Sequence, residues 1–188
     1  METPWGPSQH QHQIADGIVQ VSTASHGGIL LSNERNTKLR KTFPDFTNWA
    51  GGNAYEEDCD VSVVILAFPE CFDDAAIREA VRSVQSHALS FNEEIDQNWV
   101  KVATWLDTPA GQKLVQKMED FEQKNADKWQ PGSMGSCPEG WNVSFTRVGD
   151  RANKWVIVPR YPVQQFYSDE ELAAVAFKAA IAVDASAS

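Results

Sequence analysis

The sequence predicts an α+β protein in which a small antiparallel sheet packs on a helical middle segment, with a C-terminal β-hairpin and helix. Three observations predict this class. An Asp16-Gly17 pair between short apolar runs is typical of a tight β-turn. Apolar residues recur at helical spacing between residues 74 and 127. After residue 140, two strand-like runs precede a helix start signal.

The N-terminal segment predicts strands joined by turns. Residues 1–13 are mostly polar and include two prolines, so we expect an extended arm. Residues 18–23 alternate between apolar and polar side chains, as a half-buried strand does. We expect Gly27-Gly28 to break this strand and residues 29–31 to resume it.

The first helices are predicted on either side of a loop. Ser32 is a suitable N-cap for a short helix over residues 33–41. Residues 43–54 predict a loop anchored to the core by aromatic side chains, including Trp49. Residues 61–68 follow a group of acids, which a helix N-terminus stabilises, so we interpret them as a helix.

Three amphipathic helices are predicted in the middle of the chain, over residues 74–89, 94–106 and 109–127. Asp73 and Thr108 are suitable caps for the first and third of these helices. Because Pro109 follows Thr108, it takes the first helical position, where a proline is tolerated.

The C-terminal segment begins after a run of Pro, Gly and Ser over residues 130–140, which we interpret as a loop. We therefore divide the chain into regions 1–132 and 133–188 and expect them to form one globular unit. A β-hairpin is predicted over residues 141–158. Ser168 to Glu171 form a capping box, from which a helix is expected to run to about residue 183.

The net charge of −10 is concentrated in one segment. Residues 51–133 contain sixteen Asp and Glu but seven Lys and Arg. Such a surface repels phosphates, so we expect no direct nucleic-acid binding. It suits a basic protein surface, including one that normally holds nucleic acid. We therefore expect a host protein as the partner, and the sequence leaves the oligomeric state open.

The three cysteines include no CxxC pair, which argues against a disulfide framework and a zinc ribbon. The longest apolar run, residues 61–68, is too short to span a bilayer. No signal peptide is evident at the start of the sequence. We therefore expect a cytoplasmic protein without a membrane segment. No P-loop, dinucleotide-binding glycine fingerprint or GxSxG motif is present, which disfavours the corresponding enzyme classes.

Two polar stretches, residues 22–28 and 55–60, lie directly beside apolar segments. Polar groups next to a core are costly to desolvate and usually have a partner or a task. We therefore predict that these stretches form a binding site. Its residues are Ser25, His26, Gly27, Gly28, Glu56, Glu57, Asp58 and Asp60.

Three chemical interpretations of these stretches stay open. Cys59 is a candidate nucleophile with His26 as its base and Asp58 as a group that orients the imidazole. His26, Glu57 and Asp60 are candidate ligands of a divalent metal, although their spacing matches no metal motif. In the structural interpretation, the acids cap the helix over residues 61–68 or pair with basic residues of the preceding helix, namely Arg35, Lys38 and Arg40.

Several motifs together resemble an uncharacterised bacterial domain family associated with plasmids, integrative elements and phages. They are Thr3 to Gln9, Ile14 to Ile18, Ser22 to Gly28, Leu31 to Arg35, and Tyr55 to Asp60 with the following Leu66 to Pro69. The resemblance covers roughly residues 3–72. It implies a mobile-element setting and carries no activity with it.

From these observations we expect a non-enzymatic accessory protein of a mobile element. It is expected to bind and inhibit a host protein, such as a defence or nucleic-acid-handling complex, through its acidic middle segment. No cofactor is expected. The alternative is an enzyme or metal-dependent site built from His26 and residues 56–60. Trp5 and Trp49 lie in loops, where an aromatic side chain can anchor a partner, but we expect both of them in the core.

Overall fold

A computed structural model describes most of the chain, namely residues 1–89, 97–138, 140–149, 151–158, 166–175 and 178–179. The chain divides into two compact units, Met1–Phe121 and Glu122–Ser188. Each unit contains helical and antiparallel β-structure, which confirms the predicted α+β class. In the described part of the chain, no helix combines the length and apolar content that crossing a membrane requires.

The first unit contains a four-stranded antiparallel sheet and, before it, a ribbon of two short strands, β1 (Glu2–Thr3) and β2 (Gly6–Pro7). The sheet strands, in spatial order, are β3 (His10–Ala15), β4 (Ile18–Ser22), β5 (Gly27–Leu31) and β6 (Ala54–Glu56). Asp16-Gly17 joins β3 to β4 as predicted, because Gly17 adopts the positive φ of 72° that this tight turn requires.

Two local predictions for this sheet are wrong. Residues 10–13 are not a free arm but pair with β4, in register with its residues 19–22. Their side chains are exposed, so the polar sequence suits an edge strand that has water on both faces. Gly27-Gly28 does not break the strand either. The pair begins β5, and the turn lies at residues 23–26.

Five helices follow the predicted pattern. They are α1 (Asn33–Thr42), α2 (Val61–Ala67), α3 (Asp74–Leu89), α4 (Gln97–Trp105) and α5 (Pro109–Lys124). Ser32 caps α1 by accepting a hydrogen bond from the Arg35 N–H at 3.2 Å. Asp73 caps α3 in the same way, through the Ala76 N–H at 2.8 Å. The predicted start of α4 at Glu94 lies outside the described residues.

The core of the first unit forms where α2 packs on α3, α1 and the sheet. Four consecutive α2 residues, from Val63 to Leu66, are buried, because a short helix covered on several sides needs apolar residues all round. Phe43 and Phe46 anchor the loop after α1 as predicted. Their rings meet Trp105 and Trp99 edge-on at 5.0 and 5.4 Å between centroids.

The second unit is a sheet with one described helix, α6 (Asp169–Val175). The strands, in spatial order, are β10 (Lys178–Ala179), β9 (Asn153–Val158), β8 (Gly140–Arg147) and β7 (Trp129–Cys137). The β8–β9 hairpin is confirmed. The capping box is confirmed as well: Ser168 N donates to Glu171 Oε2 at 2.7 Å, and Glu171 N donates to Ser168 Oγ at 3.1 Å.

Two predictions for this unit are wrong. Residues 130–140 are not a loop, since most of them form β7. This strand has an irregular register between Pro131 and Met134, and edge strands tolerate proline at such positions. The C-terminal helix does not continue to residue 183, because Lys178–Ala179 pairs with β9 as a strand. Residues 180–188 lie outside the described part.

Candidate functional site

Sheet pairing brings the two polar stretches together. Strand β5 pairs with β6, so Gly28 lies opposite Glu56, and Glu57 N donates to Gly27 O at 3.1 Å. His26 precedes β5 directly and places its Nδ1 3.8 Å from Glu56 Oε1. The two stretches therefore lie side by side, which the sequence alone did not reveal.

The glycines allow this close approach. A Cβ on Gly28 would overlap the carbonyl oxygen of Tyr55 and the ring of Trp5. A Cβ on Gly27 would lie 2.9 Å from the carbonyl oxygen of Val21. Since β5 has a backbone neighbour on each side, this geometry supports a packing role for both glycines.

The turn that carries His26 is organised by Thr23. The Thr23 hydroxyl donates to the His26 carbonyl at 2.8 Å and accepts from the His26 N–H at 3.2 Å. It also accepts from the Ser25 N–H at 3.4 Å. Ser25 and His26 are consequently held in an ordered turn with exposed side chains.

Two carboxylates of the site are buried, each with a structural hydrogen bond. Glu56 is 6% exposed and accepts the Asp58 N–H at 2.8 Å. Asp60 is 3% exposed and accepts the Trp49 N–H at 2.7 Å. Burial raises the pKa of Asp60, and the nearby Glu56 charge raises it further. Asp60 precedes α2 without a side-chain capping bond, so its carboxylate holds the loop instead of the helix.

Trp49 contradicts the prediction that it belongs to the core, since it is 70% exposed. Its ring centroid lies 6.2 Å from that of His26, with the ring planes tilted by 45°. The backbone around it is fixed. Asp60 accepts its N–H, Arg40 donates to Phe46 O and to Asn48 Oδ1, and Asn48 Nδ2 donates to Ala54 O at 2.6 Å.

We define Glu56, Glu57, Asp58 and Asp60 as the acidic strip, in which Glu57 and Asp58 are exposed and Glu56 and Asp60 are buried. Among the described residues, no Lys or Arg forms an ion pair with any of the four. The predicted pairing with α1 is wrong. Arg35 lies near Glu70, Lys38 pairs with Glu34, and Arg40 bonds to neutral oxygens. We call Trp49, His26 and the acidic strip together the Trp49 site.

The geometry does not support Cys59 as a nucleophile or the predicted residues as ligands of a metal ion. Burial raises the pKa of Cys59 to about 11, helped by the charges of Asp60 and Glu56, which opposes a thiolate nucleophile. In the part of the chain that the structure describes, no hydrogen bond joins Cys59 to His26. Within the same part, no three His, Cys, Asp or Glu residues are grouped to hold a metal ion.

The sequence model of one family, a domain of unknown function designated DUF7007, matches residues 1–126. The chain belongs to this family. A comparison with curated proteins found no match, and a comparison with solved structures found none either.

Membership of DUF7007 agrees with the expected uncharacterised domain family, and the match extends beyond the resemblance noted over residues 3–72. Every residue of the Trp49 site lies inside the matched segment. The exposed Trp49 is the feature that sequence reasoning missed. The available signal was its position in a loop, two residues before the Gly51-Gly52 pair, but a loop position alone does not separate a core anchor from an exposed ring.

Proposed function

We propose that this protein is a non-enzymatic accessory protein of a mobile genetic element that binds and inhibits a host protein. The partner is a protein with a basic surface, such as a defence complex or a complex that handles nucleic acid. The mobile-element setting rests on the motif resemblance. The binding mode rests on the Trp49 site.

The observation that carries the proposal is an exposed tryptophan, whose backbone N–H is hydrogen-bonded to Asp60, together with the exposed Glu57 and Asp58, which form no ion pair with a Lys or Arg among the described residues. Tryptophan is enriched among the residues that dominate protein interfaces. Uncompensated carboxylates attract a basic partner and accelerate the encounter. Both features support protein binding more directly than catalysis.

The acidic surface extends beyond the Trp49 site. Exposed acids of the same unit include Asp73, Glu79, Asp107, Glu119 and Asp120. This distribution supports a broad electrostatic attraction, in which the Trp49 site provides the specific contact. It also supports the expectation of no direct binding to phosphates, which the same charges repel.

The alternative, an enzyme or metal-dependent site at His26 and residues 56–60, has weaker support. The raised pKa of Cys59 leaves little thiolate at neutral pH. His26→Ala and Cys59→Ala test this alternative. If both variants fold and keep all biological activity, catalysis at this site is excluded.

The first experiment is an affinity capture of host proteins by the tagged protein, eluted in a salt gradient and identified by mass spectrometry. We expect one stoichiometric partner, released at moderate salt because exposed charges are screened. The purified partner should lose activity when the protein is added in equimolar amounts.

The variants for this experiment differ only in where the charge changes. Glu57→Lys with Asp58→Lys reverses two exposed charges of the acidic strip and should abolish capture. Asp107→Lys with Glu119→Lys reverses two exposed charges elsewhere in the same unit and should retain most of it. Equal capture by both double variants and the wild type would contradict the proposed binding mode.

A further inference from the structure

We infer that the Trp49 site recognises an arginine side chain of a basic partner segment, which stacks on the exposed indole and pairs with the exposed Glu57 and Asp58 of the acidic strip. This inference rests on the proposed function, since it specifies the partner chemistry of the same site. It also makes a narrower claim, because an acidic surface can attract a basic protein without any arginine-specific contact.

The indole is available without rearrangement. Trp49 exposes 70% of its surface, while the hydrogen bond from its N–H to Asp60 holds its backbone at 2.7 Å. Reciprocal hydrogen bonds between Thr47 and Asn98 hold the same loop at 2.8 and 2.7 Å. A ring on a fixed backbone loses little conformational freedom when a partner covers it, so its burial contributes to affinity.

The charges around the ring select a cation. Asp60 accepts the backbone N–H of Trp49 at 2.7 Å, and Glu56 Oε1 lies 3.8 Å from His26 Nδ1, but both carboxylates are buried. The carboxylates of this region that a partner can reach are the exposed Glu57 and Asp58. A cation on the indole face gains from the ring quadrupole as well as from these carboxylates. The exposed Glu57 and Asp58 can accept further hydrogen bonds from the same group.

Arginine fits this chemistry better than lysine. Its guanidinium is planar, so it stacks on an indole and still directs N–H groups at carboxylates in its own plane. It is also less strongly hydrated than an ammonium group, which lowers the cost of contact with an aromatic face. We therefore expect arginine to be preferred at equal peptide charge.

The second unit contains a complete arrangement of this kind. Lys154 Nζ lies 3.7 Å from the centroid of the Trp129 ring, and the Arg147 guanidinium lies 5.2 Å from it. Asp169 accepts the Trp129 indole N–H at 2.7 Å and lies 3.6 Å from Lys154. At Trp49 the ring is open and the carboxylate of Asp60 accepts the backbone N–H instead of the indole N–H, so a partner would supply the cation.

The test uses the full chain and three synthetic peptides of Gly and Ser that carry three arginines, three lysines or three citrullines. Citrulline keeps the shape of arginine without its charge. The affinity of every variant is measured by isothermal titration calorimetry at low and high salt, and the NMR signals of ¹⁵N-labelled indole groups locate the peptide on the wild type. Because the chain has seven tryptophans, the Trp49 signal is assigned from its loss in Trp49→Phe.

We expect the arginine peptide to shift the Trp49 signal, the lysine peptide to bind more weakly and the citrulline peptide not to bind. Trp49→Ala should weaken arginine-peptide binding about tenfold, and Trp49→Phe should restore part of it. Glu57→Gln with Asp58→Asn should weaken binding, and Asp107→Asn with Glu119→Gln, a matched loss of two exposed charges elsewhere in the unit, should weaken it much less.

Equal binding of the arginine peptide to the wild type and Trp49→Ala would overturn the inference, as would equal affinity for lysine and arginine. Failure of the inference is separable from failure of the proposed function. If a host partner depends on Glu57 and Asp58 but not on Trp49, the proposed function stands and the inference fails. If the arginine peptide binds as expected but no host partner is captured, the inference about arginine recognition stands and the proposed function fails.

Discussion

Trp49 and Trp129 are both tryptophans beside carboxylates, but they differ in what covers them. Trp49 is 70% exposed and has only the His26 ring beside it among the described aromatic contacts. Trp129 is 6% exposed, carries two cations on its ring and belongs to the core cluster of its unit. The chain itself therefore supplies the cations and core residues that cover Trp129, whereas the Trp49 ring stays largely exposed to solvent.

This difference separates a stabilising residue from an interaction residue. Burial of Trp129 contributes to the folded state, because removing a large apolar ring from water is favourable. Trp49 contributes little to folding in this way, because its ring stays largely in water. Substitutions at the two positions should therefore change different measured quantities.

The largest effect is expected for Trp129→Ala. It removes a buried ring from its core cluster and the donor to Asp169, so the second unit should lose about 3–5 kcal/mol of stability. Trp49→Ala should change stability by less than about 0.5 kcal/mol, because the Asp60 bond involves the backbone N–H and survives. Urea unfolding followed by circular dichroism measures both. A comparable loss in both variants would remove the distinction between the two tryptophans.

Gly28→Ala should have the next largest effect. The added methyl would overlap Tyr55 O and the Trp5 ring, so β5 and β6 must separate and stability should fall by about 1–3 kcal/mol. Gly135→Ala is the matched control, because a Cβ there meets nothing within 4 Å. Urea unfolding of the two variants and the wild type measures these differences in stability. Equal stability of the two would mean that the motifs at the Trp49 site do not depend on this close approach.

The sequence predicted most helices of this fold because their signals are local. Ser32, Asp73 and Ser168 cap the helices that follow them, and each cap can be recognised within four residues. The strand β7 was missed, because its Gly, Pro and Ser content is typical of a loop and only pairing with β8 makes it a strand.

The candidate site was predicted in composition but not in arrangement. The sequence identified His26 and the acidic strip, because polar residues beside an apolar segment are locally unusual. The pairing of β5 with β6 is a long-range contact, and so is the proximity of Arg35 to Glu70, whereas Lys38 pairs with Glu34 inside its own helix. The exposure of Trp49 likewise depends on which loop residues the core covers, and Phe43 and Phe46 occupy those positions.

A smaller effect should distinguish the carboxylates of the two tryptophan environments. Burial raises the pKa of Asp60, so the folded state binds its proton more tightly than the unfolded state does. The stability that Asp60 contributes is present below its unfolded pKa of about 3.9 and is lost as pH rises through the folded pKa. Asp60→Asn removes the buried charge and keeps an acceptor for the Trp49 backbone N–H. The variant should therefore be more stable than the wild type at neutral pH.

Asp169→Asn should show the opposite sign. The hydrogen bond from the Trp129 indole N–H lowers the pKa of Asp169, and the charge of Lys154 adds to this effect. Its stabilising contribution is therefore present at neutral pH and is lost as pH falls through the lowered pKa, so the variant should be slightly less stable at pH 7. Thermal unfolding of the wild type and both variants between pH 3 and pH 8 measures how the stability difference of each variant from the wild type changes with pH. If the two stability differences changed in the same direction with pH, the carboxylates of Asp60 and Asp169 would not differ in the way their pKa shifts indicate. The contrast between the Trp49 and Trp129 environments would then not extend to their charges.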